Sequence, residues 1–226
     1  MRTTVRILNI QQVTHDVKCF KLEKPDGYHF SPGQATDVSI NKPGLEEELR
    51  PFTFTALNQE PYLEFTIKRY EDRHGITDKL HQLQPGDELI IGDVWGAIEY
   101  KGPGYFIAGG AGITPFIAIL RELHKENKIA GNTLFFSNKT AGDIIYEREL
   151  LEILGDQAVF ILTKENNPPY VYPQYVYGYI DEEFIRQNIT DFEKHFYVCG
   201  PDPMIADIVK NLEKFNVKAD SVVFEK

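Results

Sequence analysis

Two patterns of hydrophobic and polar positions divide the chain near residue 101. Up to about residue 100, apolar and polar residues alternate within short segments, as at 63–68, where positions 63, 65 and 67 are apolar. A period of two predicts a β-strand with one buried face. Prolines and glycines separate these segments, for example at Pro32-Gly33 and Pro85-Gly86-Asp87. Short strands with such breaks are typical of an antiparallel sandwich or barrel. One short helix is predicted near 77–83, capped by Thr77 or Asp78.

After Lys101-Gly102-Pro103-Gly104 the pattern changes to alternating strands and helices. Apolar runs predict strands at 105–108, 133–136, 158–162, 196–199 and 222–224. Helical spacing predicts helices from 115 to about 127, around 147–154, from 181 and from 203. The segment 164–174 is predicted to be a surface loop. The predicted fold is therefore an N-terminal antiparallel β-barrel (1–101) followed by an α/β doubly wound parallel sheet (102–226).

A glycine-rich turn joins the first predicted strand of the second domain to its helix. The turn reads Gly109-Gly110-Ala111-Gly112-Ile113-Thr114-Pro115. Thr114 suits an N-cap and Pro115 suits the first helical turn. Glycines let the backbone approach a ligand closely, and free N–H groups at a helix start attract anions. A dinucleotide pyrophosphate is the natural occupant, although the glycines do not spell Gly-x-Gly-x-x-Gly, and many such turns bind nothing.

Composition narrows the class of protein. The net charge of −10 disfavours nucleic acid and anionic membranes as main partners. No apolar run is long enough to cross a bilayer and the N-terminus lacks a signal-peptide core, so a cytoplasmic protein with no membrane insertion is expected. Cys19 and Cys199 leave a disulfide or two free thiols as alternatives, the second being typical of the cytosol. Two cysteines are too few for a four-cysteine cluster, so no metal is expected, and electron chemistry would need an organic cofactor or a separate partner.

Five short motifs follow one another along the chain. They are Arg50-Pro51-Phe52-Thr53, the stretch from Lys68 to Thr77, the glycine turn, Cys199-Gly200-Pro201-Asp202-Pro203-Met204, and the end Phe224-Glu225-Lys226. Together the motifs resemble the ferredoxin–NADP reductase family, particularly its flavodoxin reductase and oxygenase reductase branches. The resemblance covers nearly the whole chain.

The first two motifs imply a flavin site, for FAD or alternatively FMN. By resemblance, Arg50 pairs with a flavin phosphate, Phe52 stacks on the isoalloxazine beside Pro51, and Thr53 donates a hydrogen bond near flavin N5. Phe52 stands where the family has tyrosine, so stacking is kept but the phenol's hydrogen bond is lost. The resemblance also implies flavin contacts from a further group of residues: Lys68, and the backbone N–H groups of Gly75, Ile76 and Thr77.

The later motifs imply a nicotinamide dinucleotide. By resemblance, Gly110, Gly112, Thr114 and Pro115 hold the pyrophosphate. A second turn would lie under the nicotinamide, with Cys199 near the reacting carbon; it comprises Cys199, Gly200, Pro201 and Met204. Cys199 is alternatively a small buried hydrophobe. Ser137 and Lys139 would face the adenosine end, and the choice between NADH and NADPH stays open.

The chain end carries two further candidates. Phe224 would cover the flavin, or the chain lacks such a lid. Glu225 would help proton transfer or position the ring, or it is a frayed terminal carboxylate.

The resemblance implies an NAD(P)H-dependent flavoprotein reductase. A hydride would pass from NAD(P)H to bound flavin, and electrons would then pass to a carrier protein such as flavodoxin, ferredoxin or an oxygenase component. Thr53, Cys199 and Glu225 are the candidate catalytic residues. Two alternatives are a flavin reductase that releases free reduced flavin, and a noncatalytic electron-channelling subunit of a larger redox complex.

Overall fold

The N-terminal half forms a closed antiparallel barrel. The computed structural model describes residues 2–71, 75–96, 98–165 and 174–217, together with the backbone of 222–224. Six strands lie in the order β4-β3-β6-β1-β2-β5, with every neighbouring pair antiparallel. A bridge between Phe54 and Phe65 brings the two edges together, which confirms the predicted barrel. The strands are β1 (Thr3–Thr14), β2 (Val17–Glu23), β3 (Ala35–Ile40), β4 (Arg50–Thr53), β5 (Tyr62–Lys68) and β6 (Glu88–Trp95).

Aromatic packing fills the barrel and a short helix closes one end. Phe54 stacks on Phe30 at 4.1 Å between ring centroids and contacts Phe65 at 5.1 Å. Helix α1 (Ile76–Leu80) buries Ile76 and Leu80 against this core. The prediction that Thr77 or Asp78 caps this helix is wrong, because Gly75 is the N-cap and makes no side-chain cap. The helix begins one residue earlier than predicted, at Ile76, whose side chain is buried in the barrel core.

The C-terminal half is a six-stranded parallel sheet with helices on both faces. The strand order is β10-β9-β8-β7-β11-β12. The strands are β7 (Gly104–Gly109), β8 (Thr133–Asn138), β9 (Ala158–Leu162), β10 (Tyr175–Tyr177), β11 (His195–Cys199) and β12 (Val222–Phe224). The helices are α2 (Thr114–Lys125), α3 (Glu147–Leu154), α4 (Glu182–Asn188) and α5 (Asp202–Lys214). Helices α2 and α3 cover one face and α4 and α5 the other, which confirms the doubly wound sheet.

The strand order reverses between β7 and β11. Along the chain, strand β8 pairs with one edge of β7, and β9 pairs with the outer edge of β8. The later strand β11 pairs with the opposite edge of β7. Ligands of such sheets bind at the carboxyl ends of the strands at this switch point. Strand β10 was not predicted from the sequence; it follows directly on the predicted loop 164–174. Residues 166–173 of that loop lie outside the described residues.

Strand β5 corrects one prediction. Alternation at 63–68 predicted one buried and one exposed face, but both faces are buried. Glu64 and Thr66, on the supposed outer face, are each only 5% exposed. They contact Arg121 and Tyr146 of the C-terminal domain, so the second domain covers this face of the barrel.

The connector between the two sheets is held by one hydroxyl. The Tyr197 oxygen accepts hydrogen bonds from the backbone N–H groups of Lys101 (2.9 Å) and Gly102 (3.1 Å) and donates to the Gly102 carbonyl (2.8 Å). The domain limits at 101 and 102 stay a prediction.

In the part of the chain that the structure describes, no helix has the length and hydropathy needed to cross a bilayer.

The barrel contains a buried histidine whose titration should affect stability. Burial lowers the pKa of His81 below its ordinary 6.5, and its ring bonds the Ile67 carbonyl at 2.8 Å. Unfolded His81 therefore takes up a proton at higher pH than the folded form, so stability is lost as pH falls through about 6.5. We expect urea unfolding at about pH 7 and about pH 5 to show that the free energy of unfolding falls further for wild type than for His81→Gln. The slope of this additional fall is at most ~1.4 kcal/mol per pH unit, the value for one proton. Equal losses would show that His81 does not titrate in this range.

Candidate functional site

A cleft of about 840 Å³ opens at the carboxyl ends of β7, β8 and β11. The barrel contributes Lys68 and Tyr70 to its lining, and the parallel sheet contributes the rest. The cleft therefore lies between the two domains at the switch point of the sheet. Ten of the predicted site residues line it: Lys68, Gly110, Gly112, Thr114, Ser137, Lys139, Cys199, Gly200, Pro201 and Met204.

The glycines of the turn allow two loops to approach each other. A Cβ on Gly112 would collide with the Cys199 carbonyl oxygen and lie 2.7 Å from the Gly200 Cα. Gly110 has a φ of +53°, which favours glycine, and a Cβ there would meet nothing within 4 Å. Gly112 thus packs the two loops together, whereas Gly110 leaves open space beside the backbone. That open space suits the close approach of a pyrophosphate.

Thr114 corrects a second prediction. It does not cap α2, because its own φ and ψ of −57° and −42° are helical and Ile113 is the N-cap. A 3-10 turn over Gly110–Ile113 runs directly into α2, and the Thr114 hydroxyl donates to the Ala111 carbonyl at 3.0 Å. Pro115 occupies the first turn of α2 as predicted, but it is buried and does not line the cleft.

The second loop follows β11. Cys199 ends this strand, pairs in register with Ala108 of β7 and is 6% exposed. Gly200, Pro201 and Met204 continue along the floor of the cleft beside the glycine turn. Cys19, which is buried in the barrel, forms no disulfide with Cys199, and burial is the main cause that raises the pKa of its thiol to about 12.

The far end of the cleft contains further polar residues beside the predicted Ser137 and Lys139. Ser137 and Asn138 end β8 and Lys139 follows it. Asn138, Thr163 and Tyr179, which also line the cleft, were not selected from the sequence. Tyr179 is 68% exposed, which no pattern in the sequence indicated. The buried Asn138 Oδ1 atom has no hydrogen-bond partner among the described residues. This end offers hydroxyl, amide and ammonium groups, which suit a ribose and its phosphate.

The predicted flavin residues of β4 lie on the barrel outside the lining of this cleft. Arg50, Pro51, Phe52 and Thr53 form β4; Arg50 is exposed and Thr53 is 7% exposed. The Arg50 guanidinium donates to the Leu49 carbonyl at 2.6 Å, and no carboxylate pairs with it within the described ranges. An exposed, unpaired guanidinium fits a phosphate group.

The remaining predicted flavin contacts are placed less favourably or lie outside the description. The Lys68 Nζ atom lies 2.5 Å from the Asp16 Oδ2 atom. Burial raises the pKa of the Asp16 carboxyl, but the Lys68 ammonium outweighs the effect of burial, so this pKa lies below its usual range. Gly75, Ile76 and Thr77 start α1 and do not line the cleft. Glu225 and the side chain of Phe224 are outside the described residues. The ligand roles of all these residues stay predictions.

Comparison with known proteins decides the family. The family described as Oxidoreductase FAD-binding domain matches residues 4–100, and the one described as Oxidoreductase NAD-binding domain matches residues 106–210. The chain thus contains an FAD-binding and an NAD-binding oxidoreductase domain. The two matches together cover most of the chain and confirm the predicted resemblance to the ferredoxin–NADP reductase family.

Several known proteins are similar to this chain over nearly its full length. The reductase component of propane 2-monooxygenase from Rhodococcus jostii is 29% identical over 98% of this chain and 62% of its own length. The glycine betaine monooxygenase reductase subunit of Chromohalobacter salexigens is 29% identical over 95% of this chain and 61% of its own. A ferredoxin NADP+ reductase from Neisseria gonorrhoeae, solved with FAD and NADP, shares the fold with a TM-score of 0.84 at 18% identity over 99% and 97% of the two chains. The chain thus spans about three fifths of the first two relatives.

Proposed function

We propose that this chain is an NAD(P)H-dependent flavoprotein reductase that passes electrons to a separate carrier or oxygenase component. One observation carries the proposal: residues of the flavin-binding barrel and both loops of the dinucleotide-binding sheet line a single cleft. A flavin bound on the barrel supplies the chemistry of hydride acceptance from NAD(P)H and of single-electron release.

The barrel residues bind and orient the flavin in this proposal. Arg50 holds its phosphate, because its guanidinium is exposed and pairs with no described carboxylate. The half-buried Phe52 offers a ring face for stacking on the flavin, and the Thr53 hydroxyl donates a hydrogen bond near flavin N5. Lys68, Gly75, Ile76 and Thr77 flank the same ligand, with the cation of Lys68 shared with Asp16.

The sheet residues bind and orient the dinucleotide. The N–H groups of the turn at Gly110 and Gly112 and of the start of α2 donate hydrogen bonds to the pyrophosphate. Ser137 and Lys139 lie where the adenosine end would bind. Cys199, Gly200, Pro201 and Met204 form the floor on which the nicotinamide rests, and a side chain at Cys199 excludes water from that floor.

The electron acceptor is proposed from the relatives. Two of them are reductase components or subunits of monooxygenases. An oxygenase component, a flavodoxin or a ferredoxin in the cytoplasm is therefore the proposed partner. We also propose that the domain limits are 1–101 and 102–226, on the strength of the connector at Lys101 and Gly102 held by Tyr197.

The test starts from the purified chain saturated with FAD, and in a second sample with FMN. The flavin absorbance is followed anaerobically after mixing with NADH or with NADPH, and the bound flavin is then measured after gel filtration. The proposal predicts rapid bleaching with at least one dinucleotide, retention of the flavin, and reoxidation by an added one-electron acceptor. Bleaching accompanied by loss of flavin from the protein would instead indicate a flavin reductase, which Phe52 favours because it lacks a phenol hydroxyl. No bleaching with either dinucleotide would overturn the proposal and leave the noncatalytic subunit.

A further inference from the structure

One arginine of the second domain bonds both domains at once. Arg121 lies in α2, and its Nε and Nη2 donate to the two carboxylate oxygens of Glu149 in α3 at 2.5 and 2.9 Å. Its Nη1 donates to the barrel, to the Thr55 carbonyl oxygen and to the Glu64 Oε1 atom, both at 2.7 Å. One planar group thus makes four hydrogen bonds that link helices α2 and α3 to the barrel, at the Thr55 backbone and at the Glu64 side chain of β5.

The partners of Arg121 are fixed by bonds of their own. Thr55 and Glu64 bond each other through the hydroxyl and carboxylate at 2.9 Å and through the backbone at 2.9 Å. The Arg121 guanidinium also lies over the Tyr146 ring at 5.2 Å, and the Tyr146 hydroxyl bonds the Thr66 hydroxyl at 3.0 Å. The contact is therefore a network in which barrel and sheet residues alternate, rather than one surface ion pair.

Burial makes this network strong and sensitive to its central cation. The side chain of Glu64 is 6% exposed and that of Arg121 is 20% exposed. Burial by itself lowers the pKa of Arg121, but Glu149 and Glu64 outweigh that effect and the net pKa is raised. A buried carboxylate that lost this cation would have no described guanidinium to replace it, and Lys21 approaches the other oxygen of Glu64 only to 3.9 Å.

Both ends of the network lie close in sequence to the predicted ligand segments. Arg121 follows Thr114 at the dinucleotide turn by seven positions, or two turns of the same helix. Thr55 follows Thr53 of the flavin segment by two positions. Because a helix and a hydrogen-bonded strand are both stiff, a bond between them sets the separation of the segments at their ends.

We propose that Arg121 is a positioning residue that fixes the flavin segment of the barrel against the dinucleotide turn of the sheet. The inference rests on the proposed function, since it assumes that the two ligands react across the cleft. Arg121 touches neither ligand segment directly, so it should not contribute to the affinity for flavin or dinucleotide. It should contribute to the rate at which correctly bound ligands react, because a displacement of about 1 Å between reacting groups can cost ~100-fold in rate.

The test compares Arg121→Gln with Arg121→Lys in the flavin-loaded chain. Arg121→Gln should lower the limiting rate of flavin reduction by NAD(P)H by about tenfold to a hundredfold, while the Kd for the dinucleotide and the flavin retained stay within about twofold of wild type. Arg121→Lys keeps the charge but replaces the planar fork by one compact ammonium group, so it should restore only part of the rate. Arg148→Gln is the matched control, because Arg148 is 93% exposed on α3 and pairs only with Glu152 of the same helix among the described residues.

A second readout does not depend on activity. Nitroxide labels at Asp26→Cys in the barrel and Lys210→Cys in the sheet domain report the interdomain distance by pulsed electron resonance; both positions are exposed, and the native cysteines are 4% and 6% exposed. Arg121→Gln should broaden the distance distribution, and Arg148→Gln should not. An unchanged rate and an unchanged distribution in Arg121→Gln, or a loss confined to dinucleotide affinity, would overturn the proposal. If Arg121→Gln does not fold, the same comparison is made with Arg121→Lys.

Failure of this inference is distinguishable from failure of the proposed function. If wild type itself is not reduced by NADH or NADPH, the proposed function is wrong, whatever the variants do. If wild type is reduced and Arg121→Gln matches it in rate and distance distribution, only the role of Arg121 is wrong.

Discussion

The variant Gly112→Ala is expected to bind NAD(P)H at least tenfold more weakly than wild type while it retains its flavin. A Cβ at this position would collide with the Cys199 carbonyl oxygen and lie 2.7 Å from the Gly200 Cα. Backbone atoms cannot rotate away as a side chain does, so the glycine turn and the loop after β11 must separate. Overpacking of this kind costs ~1–3 kcal/mol, and the displaced loops are the ones proposed to hold the pyrophosphate and nicotinamide.

The measurement is a titration of the flavin-loaded variant with NAD+ and NADP+, followed by the perturbation of the flavin spectrum. Gly142→Ala is the control, because Gly142 lies in the same domain and the nearest neighbour of its added Cβ would be 3.8 Å away. The control should bind the dinucleotide as wild type does. Wild-type affinity in Gly112→Ala would mean that the turn does not take part in dinucleotide binding.

The variant Arg50→Ala is expected to lose flavin far more readily than dinucleotide. Hydrogen bonds to a charged group contribute ~1.5–3 kcal/mol, so the flavin Kd should rise by about tenfold to a hundredfold. Dinucleotide affinity should change little, because Arg50 lies on β4 and does not line the cleft beside the glycine turn.

Flavin binding to Arg50→Ala is measured by quenching of flavin fluorescence, and dinucleotide binding by calorimetry on the flavin-saturated protein. Arg6→Ala serves as the control, because Arg6 is an exposed arginine of the same barrel whose nearest carboxylate, on Glu23, is 3.9 Å away. Equal weakening of both ligands in Arg50→Ala would contradict the role assigned to Arg50.

The local hydrophobic patterns predicted the architecture because each pattern reflects the burial of one face of a strand or helix against one neighbouring layer. Glycine and proline breaks marked the barrel turns, and the change of rhythm near 101 marked the start of the parallel sheet. The doubly wound sheet followed from alternating strands and helices, since right-handed crossovers leave few other arrangements. The order of its strands around β7 was not predicted and came from the structure.

Features that depend on contact between segments distant in sequence could not be predicted in this way. The sequence at 63–68 alternates as if Glu64 and Thr66 were solvated, but Arg121 and Tyr146 bury them. The role of Gly112 is likewise set by a loop almost ninety residues away in sequence, and a glycine gives no sign of what its missing Cβ would touch. The cap assigned to Thr114 failed because a 3-10 turn continues into α2 without a break.

The central claim is that a flavin on the barrel and a dinucleotide on the sheet meet in one cleft. It is tested most directly by mixing the FAD-loaded chain anaerobically with nicotinamide dinucleotide that carries deuterium on one or the other face of C4. The account predicts that the flavin is bleached in equal amount to the dinucleotide consumed, and that the label leaves from one face only. Absence of bleaching, or equal loss of label from both faces, would contradict it.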